Sequence, residues 1–340
     1  MTIVLTGANG GLGVSIVSNI ILTPELAVRH GVYTARNANA ATALHGALKV
    51  APASHSHEVR SLDLSRLADV RKVATAVNAR VAAGEIPPIR ALILNAGYVE
   101  YSTQHWTEDG LDMSFVSNYL GHWLLTLMLL LSMDREMGRI VVLSSWTYDP
   151  NDKRSGLIPE QWKTIFQDST EPIARGTWSS SSDDPSWRVG FRRYGASKLC
   201  LVMMIGELQR RLCGDPILSG ISILGVDPGA FSSDVARRSP WPIRILLYQI
   251  IIPALAGLMT WLQPNGTFRT QAKASEDVLH AAFGCGPQLS ERPQGLYLDG
   301  KVPREMSAEA KDVKKRDMLW RDSVRYAQLE EGETALVDWR

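Results

Sequence analysis

Solid apolar runs and longer stretches of periodic apolar residues take turns along the first two thirds of the chain. Ile3-Val4-Leu5 predicts a buried strand, and Ile16, Val17, Ile20 and Ile21 then recur at helical spacing. Gly31 to Thr34, Ala91 to Leu94 and Arg139 to Ser145 repeat the strand signal, with helical patterns between them. Strand alternating with helix predicts an α/β fold, a doubly wound parallel sheet. Farther on, Thr270 to Phe283 reads as a helix and Gly295 to Leu298 as a last strand. Ser307 to Gln328 reads as a charged surface helix with Leu319 and Trp320 on its inner side. Pro159 to Phe166 predicts a short helix, and the polar run from Ser179 to Asp184 predicts a mobile loop.

One segment breaks the rhythm. Residues 241–262 are apolar over nearly the length of a membrane span, but Arg244, Gln249 and Pro253 interrupt them. A buried or substrate-lining helix pair is favoured over a span, with peripheral membrane contact as the other reading.

Composition narrows the function classes. The 340 residues suit one enlarged α/β domain, because nothing in the composition separates two halves. With 45% hydrophobic residues and a formal charge of +1, the chain can bury a large core and has no net field to attract nucleic acid. Cys200, Cys213 and Cys285 are unpatterned, which suits a reducing compartment. The seven histidines form no ligand motif, so no metal is expected. Asn265-Gly266-Thr267 matches a glycosylation sequon, but the chain runs straight into a core strand without a signal peptide, so a cytoplasmic protein is expected.

The chemistry sits in two motifs. Thr6-Gly-Ala-Asn-Gly-Gly-Leu-Gly13 joins the first strand to the first helix, where glycines admit a pyrophosphate and the helix start offers N–H groups to it. Tyr194 and Lys198 stand one helical turn apart, and a cation beside a phenol lowers its pKa toward the range useful for proton transfer.

Together these motifs resemble the short-chain dehydrogenase/reductase family, and its other marks follow in order. Asp63 with Leu64 is placed as the family's adenine contact, and Asn95-Ala96-Gly97 closes the fourth strand. Asn118 matches the tetrad asparagine, which in the family holds a water leading to the lysine. Ser145, rather than Ser144, matches the catalytic serine, and Asp227-Pro228-Gly229 with Ser233 matches the segment facing the nicotinamide. The resemblance implies a Rossmann fold with Asn118, Ser145, Tyr194 and Lys198 as catalytic residues. It implies cofactor contacts from Thr6, Gly7, Asn9, Gly11, Leu12, Gly13, Arg36, Asp63, Leu64, Asn95, Ala96, Gly97, Tyr194, Lys198, Pro228, Gly229 and Ser233. Asn95 is expected to brace two loops, and His122, on an apolar stretch, to be a satisfied core histidine.

Arg36, just past the second strand, decides the cofactor. An acidic residue there would favour NAD, whereas a guanidinium pairs with a 2′-phosphate, so NADP(H) is expected. The glycine loop carries Gly10 where many NADP-binding relatives have a second basic residue, which makes that preference less steep.

Residues 147–190 form an insertion between Ser145 and Tyr194, long beside the family's short members, and are expected to act as a substrate lid. Its Trp162, Trp178 and Trp187 either contact substrate or pin the loop to the body. Residues 235–340 are expected to supply substrate-covering helices and a tail. The tail resembles the retinol dehydrogenase and carbonyl reductase branch, and the whole chain looks most like fungal ketoreductase-type members, which serve sterol or secondary-metabolite pathways. A similar insertion in monomeric carbonyl reductases favours a monomer over a homodimer. The expected reaction is NADPH-dependent reduction of a ketone or aldehyde on a bulky lipophilic molecule, with Tyr194 as proton donor. Alcohol oxidation in the reverse direction, a redox-neutral cyclisation and an NADPH-sensing binding protein stay open as alternatives.

Overall fold

The computed structural model describes residues 1–156, 158–182, 184–231, 252–286 and 289–340. Its strands are β1 (Thr2–Leu5), β2 (His30–Ala35), β3 (His57–Ser61), β4 (Ile89–Leu94), β5 (Arg139–Leu143), β6 (Ser222–Asp227), β7 (Tyr297–Asp299) and β8 (Val302–Pro303). Among the described residues they make one eight-stranded sheet in the order β3-β2-β1-β4-β5-β6-β7-β8. Every pairing is parallel except the last, β7 with β8. The order reverses between β1 and β4, and the crevice beyond the carboxyl ends of those strands is where doubly wound sheets bind ligands.

Side chains alternate across the central strands, so each strand feeds two cores. Val4, Val32, Leu92, Leu94, Ile140 and Val142 face one core; Ile3, Leu5, Tyr33, Ile93, Val141 and Leu143 face the other. Burial on both faces explains why the strands read as solid apolar runs. The second core is closed by α1 (Gly11–Leu22) and α2 (Thr42–Leu48). The first is closed by α3 (Leu67–Ala82), α4 (Met113–Ser132) and α5 (Arg188–Gly214). Helix α4 is long and apolar enough to cross a membrane, yet it is mostly buried inside the fold, where it packs against α3.

Three further long helices among the described residues are α6 (Ile252–Leu262), α7 (Gln271–Phe283) and α8 (Val313–Ala327). Helix α7 lies on α1, burying Ala274, Val278, Ala281 and Ala282, and α8 lies on α5. The predicted tail helix breaks at Asp312, whose carboxylate accepts from Lys314 N and Lys315 N and so starts α8. Trp320 is buried edge-on against Trp123, and its indole N–H donates to Trp339 O. None of the described residues from 252 onward lines the cleft, and α7 and α8 pack on the body. The apolar residues 241–251 lie outside the described residues, and α6 leaves Leu255, Leu258, Trp261 and Leu262 exposed.

The insertion is built into the body as well. Ile165, Phe166, Ile173 and Ala174 join the first core, and Ile165 N and Phe166 N donate to the Glu309 carboxylate. In place of the predicted helix there is a single 3₁₀ turn, Glu160–Trp162. Trp162 packs edge-on against Trp178 with ring centroids 5.4 Å apart, and the Arg192 guanidinium lies 4.2 Å over Trp162. Ser179, where mobility was expected to begin, is buried. Its hydroxyl donates to Val189 O and accepts from Arg192 Nε, and its carbonyl accepts from Arg193 at 2.8 Å.

Candidate active site

A cleft of about 460 Å³ opens at the carboxyl ends of β1, β4, β5 and β6. Its first wall is the glycine loop. Gly7 holds φ +65°, and a Cβ there would stand 2.8 Å from Ala96 Cα, while a Cβ on Gly13 would drive into the Gly7 carbonyl oxygen. Only glycine lets these backbones close up. Helix α1 begins here with no side-chain cap and no acidic residue in its first turn, so its N–H groups and dipole are available to an anion.

Behind this loop lies a buried hub. The Thr6 hydroxyl accepts from Asn95 N at 2.9 Å and Ala96 N at 3.0 Å, and sits 2.9 Å from His122 Nε2. Having accepted twice, Thr6 turns its own proton to Nε2, which leaves the proton of His122 on Nδ1, donating to Asn118 O at 2.9 Å. Burial pushes the imidazole down to about 4, so His122 is neutral and satisfied, as expected of a core histidine. Asn95 donates from Nδ2 to Thr6 O and Gly7 O, the bracing role its sequence position suggested.

Two expectations change here. Thr6 does not line the cleft; it is fully buried and joins β1 to the turn after β4. Asn118 does not line it either. It lies in a π-helical turn of α4, Val116–Leu120, and its amide is taken up by Tyr98 N, Tyr98 O and Ser197 Oγ at 2.7 to 2.9 Å. The side chain is therefore a strut between the loop after β4 and α5. Its main-chain carbonyl accepts from His122 Nδ1.

The other predicted residues that the structure describes gather as expected. Gly7, Asn9, Gly11, Leu12, Gly13, Arg36, Asp63, Leu64, Asn95, Ala96, Gly97, Pro228 and Gly229 line the cleft, together with Ser145, Tyr194 and Lys198. Ser233 lies outside the described residues. Asn9 also braces α2 by accepting from Leu44 N at 3.0 Å. The Arg36 side chain is 60% exposed, and its Nε stands 3.9 Å from Asp63, a loose pairing that leaves the guanidinium able to reach a ligand.

The chemical centre is set by β5 and α5. Ser145 follows β5 half-buried, whereas Ser144 is buried, with its N–H donating to Val226 O; that contrast favours Ser145. Helix α5 can approach because a Cβ on Gly195 would stand 2.5 Å from Thr147 O. This contact sets Tyr194 beside the segment that follows Ser145. Lys198 is buried, its Nζ donating to Leu143 O at 2.8 Å and lying 5.5 Å from the Tyr194 ring centroid. Burial lowers its pKa to about 8, against the opposing pull of Asp227.

The second wall was less legible. Trp146 and Phe191 line the cleft, and Phe191 stacks on Tyr194 with 24° between the ring planes. Trp162, Trp178 and Trp187 do not line it. The first two pin the insertion, and Trp187 packs behind Phe191 and Tyr101. Phe191 had a signal, standing three residues before Tyr194 on the same helical face. Arg154 had none. It pairs with Asp152 at 3.0 Å, Asp299 at 3.3 Å and Asp227 at 3.4 Å, tying the insertion to the ends of β6 and β7. Burial raises the pKa of Asp227, an effect that Arg154 opposes. On the other side of Tyr194, the buried Arg193 pairs with Asp112 at 3.1 Å and donates to Thr103 O.

Comparison with known proteins agrees with this geometry. The short chain dehydrogenase family model matches residues 1–150. Short-chain dehydrogenase iccH of Talaromyces variabilis is 46% identical, with 99% of this chain and 98% of that protein covered. Human retinol dehydrogenase 13 is 28% identical, covering 97% of this chain and 85% of the relative. Among solved structures, the NADPH-bound carbonyl reductase from chicken fatty liver superposes with a TM-score of 0.57 at 18% identity, covering 88% of this chain and 97% of that one, a likeness of fold. With the sheet order, the glycine loop and the Ser145, Tyr194 and Lys198 cluster in place, the full-length similarity to a short-chain dehydrogenase shows that the chain belongs to the short-chain dehydrogenase family.

Proposed function

We propose that the protein is an NADP(H)-dependent reductase of a ketone or aldehyde carried on a bulky lipophilic molecule. The observation that carries this reading is that Ser145, Tyr194 and Lys198 open into the same cleft as the glycine loop and Arg36. A dinucleotide fits the residues present. The uncapped start of α1 and the glycine cradle suit a pyrophosphate, and Arg36 suits a 2′-phosphate. The carbonyl reductase of similar fold carries NADPH, which supports the same choice. Bound there, the nicotinamide would supply hydride.

The chain's own residues supply the proton. Tyr194 Oη gives its proton to the carbonyl oxygen, and Ser145 Oγ donates a hydrogen bond to that oxygen. Lys198, charged at neutral pH, stabilises the phenolate that Tyr194 becomes, and its bond to Leu143 O holds the ammonium beneath the ring. The insertion 147–190 borders the cleft through Thr147 at its start and leads into Phe191 just past its end, which supports a substrate-selecting role carried by those ends and Trp146. The exposed apolar face of α6 supports peripheral contact with a membrane surface.

The test is NADPH consumption, followed by absorbance, over a panel of aromatic and aliphatic carbonyls, with Arg36→Asp in parallel. The account expects turnover of large carbonyls, and a swing of cofactor preference toward NADH by about tenfold or more in the variant. Steady NADPH binding with no consumption across the panel would contradict it and favour the binding-protein alternative.

A further inference from the structure

The helix that carries Tyr194 has a second face that the proposed mechanism does not use. Phe191, Tyr194 and Lys198 form the stripe of α5 that lines the cleft. One position back, Gly190, Arg193 and Ser197 form a neighbouring stripe, which meets the segment after β4 and the first turns of α4. Gly190 N donates to Tyr101 O at 3.0 Å, and a Cβ on Gly190 would stand 2.3 Å from Glu100 O, so the two backbones are in close contact there. Ser197 Oγ accepts from Asn118 Nδ2 at 2.9 Å and donates to Tyr194 O at 2.7 Å.

Arg193 is the charged member of this stripe. It is buried beside two buried carboxylates, Asp112 at 3.1 Å and Glu100 at 3.7 Å, and the same guanidinium donates to Thr103 O and Ser179 O, both at 2.8 Å. These four partners belong to the segment after β4, the cap of α4 and the insertion. Asp112 is itself held in place, accepting from Ser114 N at 2.9 Å and Phe115 N at 3.3 Å. Burial raises the pKa of Asp112 and lowers that of Arg193, each opposed by the other's charge. Taking such groups out of water offsets most of what their attraction returns, so the cluster adds little net stability. What it adds is direction. A planar guanidinium meets four fixed partners in one register only, whereas an apolar contact would let the helix slide or turn at small cost.

We infer that Arg193 is a positioning residue for Tyr194: paired with Asp112 and Glu100, it locks the register of α5 against the segment after β4 and so sets where the Tyr194 hydroxyl stands in the cleft. The inference rests on the reductase reading, in which that hydroxyl gives the proton. Misplacing a reacting group by about 1 Å can slow its step by about a hundredfold, so the lock acts on the rate of reduction and little on the binding of either ligand.

The experiment uses Arg193→Met, which removes the charge, and Arg193→Lys, which keeps the charge without the planar fork. Asp112→Asn keeps an oxygen for the cap of α4 and removes the partner charge, and it carries the test if Arg193→Met does not fold. On each full-length variant, NADPH affinity is measured by fluorescence titration, and reduction of para-nitrobenzaldehyde, an activated carbonyl, by steady-state and single-turnover kinetics. Arg193→Met is expected to lower kcat and the single-turnover rate by about a hundredfold, with KM and the NADPH dissociation constant within about twofold of wild type. Arg193→Lys and Asp112→Asn should each lose about tenfold in rate with the same split. Folded variants that keep the single-turnover rate overturn the inference, because the cluster is then a brace of the fold alone. So do variants whose rate and NADPH affinity fall together. If the wild type binds NADPH but leaves para-nitrobenzaldehyde unreduced, the reductase reading fails and the inference falls with it; turnover by the wild type that the variants keep fails the inference alone.

Discussion

The two walls of the cleft are held by different physics. The glycine-loop wall is held by contact between backbones: Gly7 and Gly13 leave room that any Cβ would fill, and the Thr6 hub needs only the two N–H groups beyond β4 and one neutral histidine. The wall facing the substrate is held by side chains reaching over long sequence distances. Arg154 reaches Asp227 and Asp299, Glu309 reaches Ile165 and Phe166, and Arg192 covers Trp162. A wall made of backbone contacts tolerates few side chains but depends on few partners. One made of charge pairs and rings can be redesigned piece by piece, and it is there that relatives can diverge in substrate.

The sharpest way to break the comparison is to damage one wall and look for harm in the other. Gly13→Val forces side-chain atoms into the Gly7 carbonyl, and the strain has no flexible neighbour to absorb it. Dinucleotide affinity should fall by about a hundredfold or more, measured by fluorescence titration, while binding of an aromatic ligand to the other wall changes little. A variant that keeps its cofactor affinity would show that the cradle is not set by backbone contact.

Arg154→Met attacks the other wall and leaves Asp227 and Asp299 short of a cation. Removing one partner of a buried pair costs about 4 kcal/mol, read by urea denaturation, and substrate affinity should fall more than cofactor affinity. Equal losses would mean that Arg154 supports the whole body rather than one wall.

Acid offers a probe of the hub without any change of shape. Burial holds His122 at about 4 where a free imidazole titrates at 6.5. Between those values the unfolded chain takes up a proton that the folded chain refuses, so stability falls as pH drops through that window and is unaffected above it. The full loss by pH 4 is about 3 kcal/mol, and His122→Gln should remove that part of the acid dependence. An unchanged acid profile in the variant would place the sensitivity elsewhere.

The smallest expected effect separates anchoring from recognition. Trp162→Ala should cost about 1 to 2 kcal/mol of stability with substrate KM nearly unchanged, since its ring meets Trp178 and Arg192. Trp146→Ala should do the reverse, raising KM for large aromatic carbonyls with little change in stability.

This contrast also explains what the sequence could and could not reveal. Glycine spacing, solid apolar strands and a Tyr-Lys pair at one helical turn are local patterns with one physical meaning, so the sheet, the glycine loop and the pair Tyr194 and Lys198 were legible. Asn118 was legible as a helix residue but its side-chain partners were not, because the π-helical turn that points its amide at Tyr98 and Ser197 leaves no periodic trace. The tryptophans of the insertion were visible as residues, but not as partners of one another. Nothing local marks Arg154 as the mate of Asp227, 73 positions on, or Arg193 as the mate of Asp112. Tertiary charge pairs of this kind are decided only when the chain is folded.

The central claim is that a phenol held over a buried ammonium, in a cleft shared with the glycine loop, supplies the reaction's proton. Its most direct test is Tyr194→Phe, assayed for NADPH binding by fluorescence titration and for carbonyl reduction by single turnover. The ring keeps its stacking on Phe191 and its place over Lys198, and only the hydroxyl is lost. The account predicts cofactor affinity within about twofold of wild type and a fall of roughly a thousandfold in the rate of reduction. A variant that reduces the same carbonyl at close to the wild-type rate would contradict it.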